Sequence, residues 1–305
     1  MKIAEDEIRA AVFIWLKEQS VKNGGIFNRN DLIYGFIYKG QVITLLGATG
    51  IWFPKGFSIP ISITTISNGL YNDGFSNDGL LEYRYRGNDP NIRDNIGLKE
   101  AYIQRKPLIY FLSIKPGKYL AVWPIFIIEN DPANLKIKAA IDPAYDSHGK
   151  NLFGTDFNME AASDSIIGIR KYITAMTKQR LHQSIFREFV LDAYSRQCTM
   201  CKLQHTELLD AAHIIPDSDP DGLPIVPNGL SLCKIHHAAY DQKIIGITPD
   251  YIVKVRKDIL EEIDGPMLKY GLQSMEGNKL YLPNNKSDYP DRDRLERRYH
   301  DFIAS

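Results

Sequence analysis

LCKIHHAAYD, residues 232–241, places a cysteine, two adjacent histidines and an aspartate within ten positions. The spacing predicts a helix beginning near Ser231. On such a helix His237 and Asp241 stand at i and i+4 and share a face. Cys233 and His236 stand at i and i+3 and share a neighbouring face, turned about 100° from the first. The two histidines therefore point to two different sites.

The partners of Cys233 and His236 lie upstream. Cys198 and Cys201 are separated by two residues, and the 202–232 segment then leads to the Cys233/His236 pair. Two such pairs present four ligands tetrahedrally, the pattern of a closed structural zinc site. All three cysteines of the chain are used in it, which leaves none for a disulfide framework and favours a cytoplasmic protein holding a metal. Between the pairs runs LLDAAHIIPDSDPDGLPIVPNGLSL (208–232). Leu208–Ile215 suits a strand, 216–227 a loop, and Asn228-Gly229 a turn.

With Cys198-x2-Cys201, AAHII around His213, NGLSLC from Asn228 and IHHAAYD around His237, this region resembles the His–Asn–His (HNH) family of ββα-metal nucleases. The resemblance implies His213 as the general base that activates water, and Asn228 as the residue that holds the loop and orients it. His237 is implied as a ligand of one catalytic divalent cation, Mg2+, Mn2+ or a similar ion. The chemistry suits these residue types: a neutral imidazole takes a proton from water, and a cation polarises the phosphate. One position departs from the family. An acid or histidine often precedes the base as a second ion ligand, but here it is Ala212. Asp210 from the strand or Asp241 from the helix could take its place.

Outside this region the chain is that of a globular protein. Apolar residues make up 44% and charged residues 24%, and the formal net charge is zero, so any nucleic-acid contact must come from local basic runs such as 171–189 and 291–300. The N-terminus is acidic and amphipathic, unlike a signal peptide, and no apolar run reaches membrane-spanning length, so no membrane partner is expected. Residues 5–20 predict a helix with Ile8, Val12, Trp15 and Leu16 on its apolar stripe. From 31 to 140, seven β-branched or aromatic runs punctuated by Gly, Pro, Asn and Asp predict a curved sheet or small barrel, with RDNIGLKEAYIQR (93–105) as a helix against it. Residues 143–169 form a linker whose first part is broken by Pro and Gly. A helix is expected over 170–197, and another in the tail from Asp291. The fold class is thus α+β. An N-terminal domain spans 1–142, and the C-terminal metal domain spans 170–305 with its core at 198–245.

Three N-terminal stretches, 67–87, 93–111 and 117–127, resemble the SRA domain, a PUA-like curved barrel that reads modified cytosine. In such readers a flipped base is stacked between aromatic rings while a carboxylate accepts from its amino group. Tyr71 and Tyr85 match the pocket tyrosines and Asp73 the acid, with Asp78 a rival to Asp73 and Tyr83 a rival to Tyr85. A reader followed by an HNH nuclease is similar to bacterial modification-dependent restriction endonucleases. That order implies double-stranded DNA bearing 5-methyl- or 5-hydroxymethylcytosine as the partner. It also implies base flipping, and a homodimer where both strands are to be cut. Two other readings remain open: an HNH endonuclease whose barrel ignores modification, and a non-catalytic zinc-stabilised DNA-binding protein.

Overall fold

The computed structural model describes residues 4–66, 80–141 and 182–304. The chain divides into two compact units, 1–181 and 182–305. The linker expected at 143–169 lies outside the described residues, as do Tyr71, Asp73 and Asp78. No helix among the described residues is long and apolar enough to cross a membrane.

The first unit opens with α1 (Glu5–Asn23), three acids in its first turn and Gly24 closing it in the left-handed region at φ 67°. Its buried stripe of Ile8, Val12, Phe13 and Leu16 packs in one cluster with Ile109 and Phe111 of the sheet. β1 (Ile26–Asn28) and α2 (Arg29–Tyr34) follow. Next come a hairpin of β2 (Phe36–Tyr38) and β3 (Gln41–Ile43), then β4 (Ile51–Trp52), β5 (Ser62–Ile66) and β6 (Leu81–Arg84). After α3 (Arg93–Ile103), β7 (Leu108–Lys115), β8 (Lys118–Asp131) and β9 (Lys136–Ile141) complete the unit. The sheet runs β4-β5-β7-β8-β9-β6, with β1 also paired to β8. β5 and β7 are parallel, and every other pair is antiparallel.

The sheet curls into a half-barrel. Tyr83 on edge strand β6 donates its hydroxyl to the Gly50 carbonyl beside β4 at 2.9 Å, so a side chain from one edge reaches the backbone of the other. β7 is buried on both faces, which is why PLIYFLSI reads as a nearly continuous apolar run instead of an alternating one. Residues 32–40 (LIYGFIYKG), the first of the seven runs expected as strands, are divided. The first residues finish α2, Gly35 ends that helix at φ 62°, and only 36–38 pair as strand.

The second unit begins with helix α4 over 182–193. Then β10 (Leu209–His213) and β11 (Gly229–Cys233) form an antiparallel hairpin, and α5 (Lys234–Asp241) leads from it. β12 (Ile245–Ile247) pairs with β13 (Val253–Val255); the short helices α6 (Lys257–Glu261) and α7 (Pro266–Gly271) and the tail helix α8 (Arg292–Ile303) follow. Asp291 caps α8 by accepting from the Arg294 amide at 2.9 Å. The expectation for residues 229–233 is corrected here. They form a strand paired to β10, so α5 starts at Lys234 instead of near Ser231. Cross-strand burial explains this, because all five residues of GLSLC are buried, which suits a covered hairpin strand and not an amphipathic helix face.

Candidate metal centre and nuclease site

The hairpin register sets the spacing of two sites. Cys233 pairs with Leu209 at one end, and His213 pairs with Gly229 at the other. Four residue steps along the strand separate them, roughly 13 Å.

At the first end, one ligand atom each from Cys198, Cys201, Cys233 and His236 lie within 4.8 Å of one another. His236 Nδ1 is 3.4 Å from Cys198 Sγ and 3.3 Å from Cys233 Sγ, and the Cys201 and Cys233 sulfurs are 4.0 Å apart. A tetrahedral zinc with bonds of about 2.3 Å to sulfur and 2.0 Å to nitrogen has ligand–ligand edges of roughly 3.5–3.8 Å, so these four residues fit that ion. His236 Nε2 meets the Gly271 carbonyl at 2.8 Å. Donating there keeps the proton on Nε2 and leaves the Nδ1 lone pair for a metal. Gly271 belongs to α7, and nothing in the local sequence pattern around it signals this role. Contact with Cys198, and then with each other, lowers the Cys233 thiol and raises that of Cys201.

At the other end, His213 is fixed from two sides. Its ring stacks on Phe186 of α4, with centroids 4.0 Å apart and planes 21° apart. The close approach is possible because residue 229 is glycine: a Cβ there would lie 2.4 Å from Val190 and 2.9 Å from Phe186. Sequence reading assigned Gly229 to a turn, whereas its φ of −127° is ordinary and the packing of α4 is what excludes a side chain. Asn228 is fully buried and clamps the segment after His213. It accepts from the Ile215 amide at 2.9 Å and donates to the carbonyls of Ile215 at 3.1 Å and Leu223 at 3.0 Å. Its own carbonyl accepts from the Ile214 amide at 2.9 Å.

Burial holds the His213 imidazole below its ordinary value, and His237 pushes the same way against Asp217 and Asp241. Its Nε2 is buried with no hydrogen-bond partner among the described residues. A neutral imidazole is what a general base requires.

His237 lies between two carboxylates. Its Nδ1 is 3.6 Å from Asp210 Oδ2, and its Nε2 is 3.3 Å from Asp241 Oδ2. Both substitutes for the missing acid at 212 are thus brought to the same ring, while Ala212 is fully buried in the core, where an unpaired carboxylate would be strongly disfavoured. The contact with Asp210 raises His237 above its ordinary value, against burial, with Asp241 adding to it. The same contact lowers Asp210. The carboxylates lie on opposite nitrogens of the ring, so an ion on His237 would meet Asp210 at Nδ1 or Asp241 at Nε2, one at a time.

Residues 198–248 match the family model described as HNH endonuclease. This segment is an HNH endonuclease domain. The match spans the four cysteine and histidine ligands, the β10–β11 hairpin and α5, so the HNH domain contains both sites. A search of curated protein sequences finds no match. Among solved structures, the chain is similar to one titled modification dependent TagI restriction endonuclease, at TM-score 0.29 and 14% identity, covering 79% of this chain and 81% of that one. An SRA complex of SUVH5 with methylated CHH DNA is similar at TM-score 0.24 and 21% identity, covering 33% and 78%. The type IV phosphorothioation-dependent restriction endonuclease ScoMcrA gives TM-score 0.22 and 13% identity, covering 61% and 47%. With TM-scores this low, the HNH assignment rests on residues 198–248 and their geometry.

Of the expected base-pocket residues, Tyr85 is described. It is buried just beyond β6, its hydroxyl donates to Asn130 Oδ1, and burial raises its pKa. The rival Tyr83 has its hydroxyl engaged on Gly50 in the sheet closure.

The two histidines predict a specific pH response. His237, raised, keeps its proton where an ordinary histidine has lost it, and an ion must displace that proton to bind. His213, lowered, is already neutral there. The acid limb of the pH–rate profile should therefore follow His237 at limiting Mn2+ and move down by about one pH unit per tenfold rise in Mn2+, until His213 limits it. Profiles recorded at several Mn2+ concentrations check this. A limb that stays in place would remove His237 from the ion site.

Proposed function

We propose that the protein is a modification-dependent DNA endonuclease. In this reading the N-terminal unit flips out and inspects 5-methyl- or 5-hydroxymethylcytosine, and the HNH domain hydrolyses the backbone. The observation that carries the nuclease half is the occurrence, within an HNH domain, of a His213 held neutral, the Asn228 clamp on the segment after it, and His237 between Asp210 and Asp241. The reader half is supported by the resemblance of 67–87, 93–111 and 117–127 to SRA domains, with Tyr71, Asp73 and Tyr85 as the base-binding residues.

His213 takes a proton from a water molecule, and the resulting hydroxide oxygen bonds to the phosphorus. One P–O ester bond breaks, and the leaving oxygen takes a proton from solvent. Asn228 keeps the segment carrying His213 in register, so the imidazole is not free to turn away. Mg2+ or Mn2+, which His237 with Asp210 or Asp241 would hold, would supply Lewis acidity at the phosphate. Zn2+ at Cys198, Cys201, Cys233 and His236 has a structural role, and a cluster using every thiol of the chain suits a reducing cytoplasm. One such site cuts one strand, so cutting a duplex takes a homodimer or two successive nicks.

Matched plasmids carrying cytosine, 5-methylcytosine or 5-hydroxymethylcytosine, incubated with each of several divalent ions, test the proposal. Cleavage confined to a modified plasmid is expected. Equal cleavage of all three would leave the nuclease and remove modification dependence, and no cleavage with any ion would reduce the protein to a DNA-binding module.

A further inference from the structure

The basic run at 291–300, expected from sequence as a source of nucleic-acid contact, turns its arginines onto the second unit itself. Arg292 lies over the Tyr251 ring, 5.2 Å from its centroid, and Arg298 over the Tyr240 ring at 5.1 Å. Arg297 bridges two carboxylates of the loop between His213 and Asn228. Its Nη1 is 3.1 Å from Asp221 Oδ2, and its Nη2 donates to Asp219 Oδ2. Arg294 Nη1 donates to the Asp221 carbonyl. All four lie on α8, outside the segment that matches the HNH family, whereas the loop they grip lies inside it.

The loop passes this grip on to the catalytic end of the hairpin. The Asp221 carbonyl also accepts from the Leu223 amide at 2.8 Å, and the Leu223 carbonyl accepts from Asn228 Nδ2 at 3.0 Å. Asn228 in turn accepts from the Ile215 amide, two residues after His213, at 2.9 Å. A second route is shorter: the Asp291 amide, at the head of α8, donates to the Pro227 carbonyl at 2.9 Å, one residue before Asn228. The loop is compact enough to transmit a displacement. Asp219 Oδ1 accepts from the Asp221 amide at 2.9 Å, and Gly222 sits so close to the Pro216 carbonyl that a Cβ would lie 1.9 Å from its oxygen.

We propose that Arg297 is a positioning residue: it ties α8 to the 216–227 loop and so holds the Asn228 clamp, and the segment after His213, in working geometry. The proposal rests on the nuclease reading above. The guanidinium fork is already taken up by two carboxylates, which a DNA phosphate would have to displace. Each rival role leaves a different mark. Removing an arginine that grips a phosphate reduces the slope of log K against log [salt] for DNA binding by about one. Removing one that only braces the fold lowers the melting temperature and leaves turnover by the folded protein alone. Removing a positioning arginine lowers kcat, with the KM for DNA and the salt slope unchanged.

The test uses the full chain loaded with zinc and the plasmid that the parent cuts best. Arg297→Gln is expected to lower kcat about tenfold, since a small misplacement of reacting groups can cost up to about 100-fold. Its KM and the salt slope of DNA binding should stay at parent values. Arg297→Lys, whose ammonium can sit between the same two carboxylates, should recover most of the rate. In a chain already carrying Asp219→Asn and Asp221→Asn, Arg297→Gln should cost nothing further, because the partners through which it acts are gone. Amide hydrogen exchange supplies a readout without cleavage. Arg297→Gln should speed exchange at Ile215 and Leu223 about tenfold and leave β12 and β13 unchanged. If Arg297→Gln loses zinc or its melting transition, the Asp219→Asn/Asp221→Asn chain with Arg297 intact carries the same expectation. An undiminished kcat, a reduced salt slope, or a further loss in the asparagine background would overturn the proposal. Failure of the underlying nuclease reading is separately visible, as a parent protein that cuts with no divalent ion, and unchanged exchange at Ile215 and Leu223 would then overturn the tie itself.

Discussion

Replacement of His213 by alanine is expected to reduce DNA cleavage by about a thousandfold while DNA binding and zinc content stay at parent levels. Proton transfer by a positioned base contributes on the order of 10²–10⁴ in rate, which sets the scale. The geometry explains why the loss should be confined to catalysis. The His213 ring rests on Phe186, and its Nε2 makes no hydrogen bond among the described residues, so no buried partner is orphaned when the ring is removed. Asn228 clamps the backbone at Ile214 and Ile215, not the His213 side chain, so the loop keeps its anchor. The lost ring stack should cost about 1 kcal/mol, a small shift in melting temperature. Cleavage at the parent rate by His213→Ala, measured on the plasmid that the parent cuts best, would mean that another group activates the water.

Loss of the zinc cluster should have the largest effect on stability. Structural zinc contributes on the order of 10 kcal/mol of apparent folding free energy in small zinc domains, comparable to the roughly 5–15 kcal/mol of total stability of a typical domain. Cys198 and Cys233 sit within the core cluster of the second unit, alongside Leu209, Leu232 and Ala239. Cys233→Ala, or prolonged chelation, should therefore leave the second unit without a cooperative melting transition. Activity should be lost as well, because Cys233 is the residue at which β11 passes into α5 and so sets where His237 points. Calorimetry with zinc analysis checks this. A metal-free Cys233→Ala protein that melts as the parent does would reduce the cluster to a group of buried thiols.

Much of the fold was legible in the chain. The half-barrel strands, α1, α3 and the tail helix follow from apolar periodicity and from turn residues, because those signals are local and agree with burial. The cysteine and histidine spacing was equally legible, since paired ligands two residues apart are a short-range pattern. The errors have non-local causes. Residues 231–233 looked like the start of a helix because the doublet that follows is helical, and only pairing with β10 makes them a strand. Gly229 looked like a turn glycine until α4 was packed against it.

What the sequence determined by itself is the inventory and the direction: two histidines rotated onto different faces, four ligands in two close pairs, and His213 with Asn228 fifteen residues on. Those are properties of spacing along one element or one hairpin. What only the tertiary structure decided is which distant groups complete the sites: Phe186 under His213, the Gly271 carbonyl on His236, both Asp210 and Asp241 on His237, and Arg187 and Arg298 behind them. Asp210 and Asp241 lie on β10 and α5, within reach of the local pattern, but the groups from α4, α7 and α8 are brought there by long-range packing.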